Sequence, residues 1–244
     1  MVCEICGGSG WIERQRADGG TEAVRCECYE QMRVNEFLGL SGVFSGYKDK
    51  TVNDYKAIDA SGMKLRSSAA TYIRDFNKMK SSGIGMYIYS KEKGSGKTHI
   101  TSAICVAAIK TLHIRAKFVT LSDLYFEIKA AFNSNETSAE KVIGKYRASG
   151  LLVIDDIGME KTTDWNNEIL FNIIDYREKS LLPTLYTSNC PIDALNYDSR
   201  IKSRIRGNSI EIHAPEIDNR KLLLNATATH SDERVDNQVM QNAC

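Results

Sequence analysis

No stretch of this chain approaches the ~18 consecutive apolar residues of a membrane-crossing helix. Its opening Met1-Val2-Cys3-Glu4-Ile5-Cys6 also has no apolar signal core. Both absences point to a cytosolic protein. A surplus of charge is missing too: Lys+Arg 32 against Asp+Glu 31 leaves +1. Without a global basic field, any nucleic-acid contact has to come from local patches. In a reducing compartment the seven cysteines do not form a disulfide framework, which leaves metal binding or plain packing. The remainder is ordinary for a soluble globular chain: 244 residues, 42% hydrophobic and 26% charged, enough for one good-sized core and a small appendage.

The stretch around which the rest is organised is Met86-Tyr87-Ile88-Tyr89-Ser90-Lys91-Glu92-Lys93-Gly94-Ser95-Gly96-Lys97-Thr98. A β-prone run opens into a glycine loop, and an apolar helix pattern follows (Ile100, Ile104, Ala107, Ala108, Leu112). Gly94, Ser95 and Gly96 can turn successive N–H groups toward a polyphosphate, and the helix starting near Lys97 adds its positive N-terminal end. Lys97 is placed to reach the outer phosphates without packing into the core, and the Thr98 hydroxyl to ligate magnesium. In the G-x-x-x-x-G-K-[ST] pattern the first position is glycine, and here it is Lys91. Either the opening turn is built differently, with Ser90 starting a loop one residue longer, or the grip on the β-phosphate is altered.

Four thiols, Cys3, Cys6, Cys26 and Cys28, fall in two close pairs within a short polar segment that has too few apolar residues to fold unaided. They suit a tetrahedral zinc site; the plainer alternative is two unrelated buried pairs. Cys105, Cys190 and Cys244 read as structural or incidental. Residues 29–40 read as an amphipathic helix, residues 41–55 as an irregular connection and residues 57–80 as one helix. The expected organisation is a cysteine module over 1–45, a linker and leading helix over 46–75, an ATPase domain over 76–225 and a flexible tail over 226–244.

Past the loop helix, residues 116–120 read as a strand, Ser122 as the N-cap of a helix through about Phe132, and residues up to about 149 as a further helix. Residues 151–158, Leu-Leu-Val-Ile-Asp-Asp-Ile-Gly, have the pattern of a central, doubly covered parallel strand delivering acids to the sheet's C-terminal edge. Asp155 is the candidate to hold magnesium, and Asp156 to orient or deprotonate an attacking water. A helix over 165–179 leads to a strand over 183–189, whose Asn189 sits where an amide could touch a γ-phosphate or its water. Arg200 and Arg204 lie four apart on one face of a basic helix, ordinarily a solvated face. Residues 209–213 alternate as a last strand.

Gly94-Ser95-Gly96-Lys97-Thr98-His99, the Asp-Asp-Ile-Gly ending, Thr187-Ser188-Asn189 and Arg200-x-x-x-Arg204 resemble the Walker A, Walker B, sensor 1 and arginine-finger elements of AAA+ ATPases. The Asp-Asp pair and short C-terminus are similar to DnaC/DnaI-type helicase loaders. Phage-encoded members of that group carry a Cys-x-x-Cys-x-Gly-x-Gly and Cys-x-Cys N-terminus like this one. The resemblance implies an α/β P-loop core with a small zinc module, and ATP, magnesium and zinc as cofactors. It implies His99 as part of the nucleotide-binding motif, Arg204 as a finger reaching a neighbouring subunit's nucleotide, Arg200 as its support, and Arg220 as the sensor 2 candidate. The implied partners are a hexameric replicative helicase, single-stranded DNA and other copies of the chain, with no membrane, in the cytoplasm of a bacterium or phage-infected host. Phe126, Lys129 and Lys145 are candidates for the DNA surface. Two further readings share the motifs: an IstB-like ATPase assisting a transposase on duplex DNA, and a non-hydrolysing adaptor gated by nucleotide.

Overall fold

The computed structural model describes residues 2–133, 138–160 and 162–219; the sensor 2 candidate Arg220 and the expected tail lie outside them. The chain begins with a hairpin, β1 (Trp11–Gln15) antiparallel to β2 (Thr21–Arg25), where sequence reading expected only a charged stretch. The overlooked signal is Asp18-Gly19: Gly19 has φ +82° and the Asp18 carboxylate accepts the Gly20 amide at 2.9 Å, a short turn of the kind Asp-Gly favours.

Helix α1 (Tyr29–Leu40) buries Val34 and Phe37 in the main apolar cluster. The helix expected over 57–80 is two, α2 (Ala60–Arg74) and α3 (Phe76–Ser81). It breaks at Asp75, whose carboxylate is drawn to the Arg74 guanidinium.

The core sheet is five-stranded and all parallel: β3 (Gly85–Tyr89), β4 (Ala116–Thr120), β5 (Leu151–Ile157), β6 (Thr184–Ser188) and β7 (Ser209–His213), in the order β4-β5-β6-β3-β7. Helices α4 (Lys97–Leu112), α5 (Leu121–Phe132), α6 (Ala139–Arg147), α7 (Asp164–Lys179) and α8 (Ser199–Gly207) connect the strands. Two apolar clusters line the two faces, one with Leu65, Ile104 and Val153, the other with Leu124, Ile154 and Leu170. Near-continuous apolar strands such as Leu151-Leu152-Val153-Ile154, all buried, follow from this double cover. The cap of α5 is Thr120, whose hydroxyl accepts the Asp123 amide, and not Ser122, which lies inside the first turn. No described helix is long and apolar enough to cross a membrane.

The order puts β6 between the strand that leads into the glycine loop and the strand that ends in Asp155. Gly85 permits this closeness, since a Cβ there would lie 1.7 Å from the Thr184 carbonyl oxygen. At the opposite end of the sheet a buried arginine ties the elements together. Arg177 of α7 is 1% exposed and donates to the carbonyls of Tyr146, Ser149 and Pro183 and to the Thr184 hydroxyl, at 2.7–2.9 Å. Replacing it with methionine keeps the apolar stem but leaves those buried carbonyls without donors. Arg177→Met should lower stability by on the order of 3 kcal/mol or more, read as a fall in the denaturant midpoint; an unchanged midpoint would show that the carbonyls find other donors.

Candidate functional site

The loop between β3 and α4 curls around the Lys97 ammonium. Gly94 and Gly96 take φ of +77° and +93°, and a Cβ on Gly96 would lie 2.2 Å from Tyr55 Cε2. Tyr55 donates from its hydroxyl to the Ser95 carbonyl at 3.0 Å. The Ser90 hydroxyl accepts the Glu92 amide at 3.2 Å, a serine turn, so the loop opens at Ser90. Among the described residues the non-glycine positions with positive φ are His113, Asp156 and Leu181; Lys91 is not one of them, and its backbone has no need of glycine. Lys97 is 6% exposed, more enclosed than expected, because Nζ donates to the Ser90 and Glu92 carbonyls at 3.1 and 3.0 Å and to Ser95 Oγ at 3.3 Å.

Facing the loop is the end of β5. Asp155, 3% exposed, accepts from the Thr98 hydroxyl at 3.0 Å and the Thr187 hydroxyl at 2.6 Å. Burial pushes its carboxyl up to about 6, opposed by the Thr187 hydrogen bond and reinforced by the Asp156 charge. Asp156 has φ +57° and sits within an irregularity of the β5–β6 ladder. The residue is exposed, and its N–H donates to Thr187 Oγ1 at 2.9 Å. Thr187 therefore orients both acids, a role that sequence reading left out by assigning chemistry only to Asn189 in the same tripeptide.

Gly94, Ser95, Gly96, Lys97, Thr98, Asp156 and Asn189 line a cavity of about 580 Å³. Asn189 Nδ2 is 3.1 Å from the Met159 sulfur. Tyr47, Asp54 and Tyr55 close the cavity from the chain ahead of α2, a wall without a motif to announce it. His99 lines it as well, but its Nε2 is 2.9 Å from the Thr51 carbonyl and its ring meets Tyr47 and Tyr55 edge-on. It fastens that wall to α4.

Arg200 and Arg204 are not among the cavity-lining residues. Arg204 pairs with Asp175 at 2.6 Å and Glu178 at 3.2 Å and lies 4.5 Å over the Phe171 ring. Arg200 pairs with Asp198, which also caps α8, and stacks on the same ring at 4.7 Å.

The hairpin gathers the four N-terminal thiols at its open end, with the Cys26 amide bonded to the Gly10 carbonyl. All four sulfurs lie within 4.8 Å of one another, Cys3–Cys26 at 3.8 Å and Cys6–Cys28 at 3.4 Å. Zinc–thiolate bonds of ~2.3 Å place tetrahedral sulfurs about 3.8 Å apart, so the donor set fits zinc. The Gly10 amide donates to the Cys6 sulfur at 3.3 Å. Burial works against the Cys6 thiolate, but this amide and the neighbouring Cys28 thiol outweigh it and bring Cys6 down to about 6.

A parallel sheet with a glycine loop, a buried acid across from it and a polar residue on the strand between them defines a P-loop ATPase core of the AAA+ kind. The chain matches the family described as IstB-like ATP binding protein over residues 49–199, and it belongs to that family. Within it the chain is of the DnaC type. It is 27% identical over 198 residues to the replicative helicase loader DnaC of Escherichia coli K12, covering 77% of this chain and 78% of that one. The DnaC of Buchnera aphidicola subsp. Baizongia pistaciae is 31% identical over 186 residues, covering 73% and 72%. The crystal structure of a DnaC helicase loader superposes with a TM-score of 0.62 at 24% identity, covering 70% of this chain and all of that one.

The raised Asp155 carboxyl has a consequence for stability. A folded-state value above the ordinary 3.8 means that the folded chain holds this proton more tightly than the unfolded chain does. Its stability contribution is full below about 3.8 and is lost as pH rises through about 6. Asp155→Asn, measured without magnesium or nucleotide, should match wild type near pH 4. Above pH 6 it should be more stable, by at most about 3 kcal/mol. A pH-independent difference in midpoint would sink the account.

Proposed function

We infer that this protein is an ATP-dependent helicase loader of DNA replication, acting in the cytoplasm to help place a ring-shaped replicative helicase on single-stranded DNA. The observation that carries the reading is the match of the ATPase core to DnaC along most of both chains, joined to a four-thiol module built as a separate hairpin.

In this reading the loop amides and Lys97 hold the phosphates of ATP, and Thr98 and Asp155 hold its magnesium, which supplies charge neutralisation at the β- and γ-phosphates. Asp156, exposed near the end of β5, orients or deprotonates the attacking water, and Asn189 holds the water or the γ-phosphate. Arg204, held on the α7–α8 face by the Asp175 and Glu178 carboxylates and not among the residues that line its own cavity, serves the nucleotide of the next copy of the chain. Arg200 supports the same face. The zinc module contacts the helicase, and its apolar exposed residues Ile5 and Trp11 suit a protein surface. For the DNA, Phe126 and Lys129 share a groove with Phe132 and Trp165, a place for base stacking and phosphate contact. Lys145 is instead engaged by Glu127.

Two outcomes are expected. Purified protein should carry about one zinc per chain and capture a hexameric replicative helicase in the presence of ATP. Cys26→Ser with Cys28→Ser should lose both zinc and capture while still binding ATP. Capture undiminished in a zinc-free variant would refute the module's role. If stimulation of turnover required duplex DNA and a transposase, the alternative reading within the family would take its place.

The second outcome concerns the shared interface. Arg204→Ala should bind ATP nearly as wild type does yet lose stimulated hydrolysis on the order of a thousandfold, and Lys97→Ala should be inactive. Mixing the two should restore part of the activity, since one interface in the mixture pairs an intact Lys97 with an intact Arg204. A mixture that stays inactive where wild-type copies assemble would return Arg204 to a surface pair.

A further inference from the structure

The segment that follows β7 runs along the opening of the glycine loop and is bonded to it repeatedly. The Ala214 amide donates to the Tyr89 carbonyl at 2.8 Å, the Ser90 hydroxyl to the Pro215 carbonyl at 2.8 Å, and the Asn219 amide to the Gly94 carbonyl at 3.2 Å. Between these, the Glu216 carboxylate takes two successive loop amides, Lys91 N–H on Oε1 and Glu92 N–H on Oε2, each at 3.2 Å. His213 Nε2 meets Oε1 of the same carboxylate at 2.6 Å, and its ring lies against Tyr89 with centroids 4.9 Å apart. Burial works against the Glu216 charge, but His213 and the two amides outweigh it and hold the carboxyl below its ordinary range.

The peptide unit joining Ser90 to Lys91 is gripped from both sides. Its N–H goes to Glu216, and its carbonyl, which points the opposite way across the planar unit, accepts from Lys97 Nζ at 3.1 Å. The Glu92 amide is also held by Glu216, and the Glu92 carbonyl, in the next peptide unit, accepts from Lys97 Nζ at 3.0 Å. The direction of the Ser90 carbonyl, and so one side of the seat of the Lys97 ammonium, depends on where Glu216 holds the Lys91 amide.

We propose that Glu216 is a positioning residue of the nucleotide site: its carboxylate holds two successive amides at the opening of the phosphate loop and thereby seats Lys97. The proposal rests on the reading of the loop as an ATP site. Two charge-assisted hydrogen bonds do the holding. Glu216 acts through Lys97 and the loop backbone and touches no phosphate.

The test is binding of magnesium–AMPPCP to the full chain by calorimetry, for wild type, Glu216→Ala, Glu216→Gln, Lys97→Ala and the double variant Glu216→Ala with Lys97→Ala. Glu216→Ala should weaken binding about fivefold or more, the loss of roughly one hydrogen bond's worth of free energy. Glu216→Gln, which keeps an acceptor oxygen, should fall between it and wild type. Because Glu216 acts through Lys97, its removal should change affinity less than twofold once Lys97 is already alanine. A merely structural role would give the same loss in both backgrounds, and that additivity would overturn the proposal. So would wild-type affinity in both Glu216 variants. If Glu216→Ala fails to fold, the Glu216→Gln comparison alone decides, in both Lys97 backgrounds. Absence of binding by wild type would instead overturn the nucleotide-site reading itself.

Discussion

The buried carboxylate of Asp155 is the point on which the architecture of the site converges. Two hydroxyls reach it, Thr98 from the first turn of α4 and Thr187 from the end of β6, so one side chain joins the loop helix, the strand between and its own strand β5. Burial makes the charge costly, which is why its carboxyl stands well above the ordinary range. A dry acid with only two neutral donors is a poor arrangement for stability and a good one for a cation, because an arriving divalent ion finds an anion that water does not screen. The site is thus assembled at the expense of local stability, and the apolar clusters on the two faces of the sheet offset that expense.

Much of this was legible in the sequence, for reasons that differ from part to part. Buried parallel strands announce themselves because both faces must be apolar, and residues 151–154 and the glycine loop before α4 could be placed from local pattern alone. The N-terminal thiol pairs are legible from spacing, while the hairpin that unites them is signalled by a single Asp18-Gly19 turn inside a charged stretch. What stayed hidden is held by pairs distant in sequence. Thr187 looks like any small polar residue at a strand end until Asp155 and the Asp156 amide are seen beside it. Tyr47 and Tyr55 come from a segment without periodicity, and Glu216 from the stretch between the last expected strand and the expected tail, to which the pattern assigns no element. None of these has a local signature, because their roles are set by what folds against them. Lys97 is a subtler case: its identity was plain, but its enclosure by the Ser90 and Glu92 carbonyls depends on the turn that Ser90 makes.

The segment ahead of α2 changes how the cysteine module and the ATPase core relate. The last cysteine of the cluster, Cys28, is the residue immediately before α1, and α1 buries Val34 and Phe37 in the cluster that holds Ile100 and Ile104 of α4. The chain then crosses the Phe118 amide at Ser41, the Lys110 ammonium at Lys48, His99 at Thr51 and the Ser95 carbonyl at Tyr55. The four contacts step from the sheet edge along α4 to the phosphate loop itself. A displacement of the loop therefore meets resistance from Tyr55 and His99, and through the packed path it meets resistance from α1. Coupling between two sites needs an element that both bias; here the candidate element is α4, whose first residues line the cavity and whose apolar surface carries α1. The Cβ clearance at Gly96 sharpens this, because Tyr55 can lie against the loop only while residue 96 has no side chain. The left-handed turn of the loop at Gly96 and the closure of the cavity wall against it thus fall on one residue.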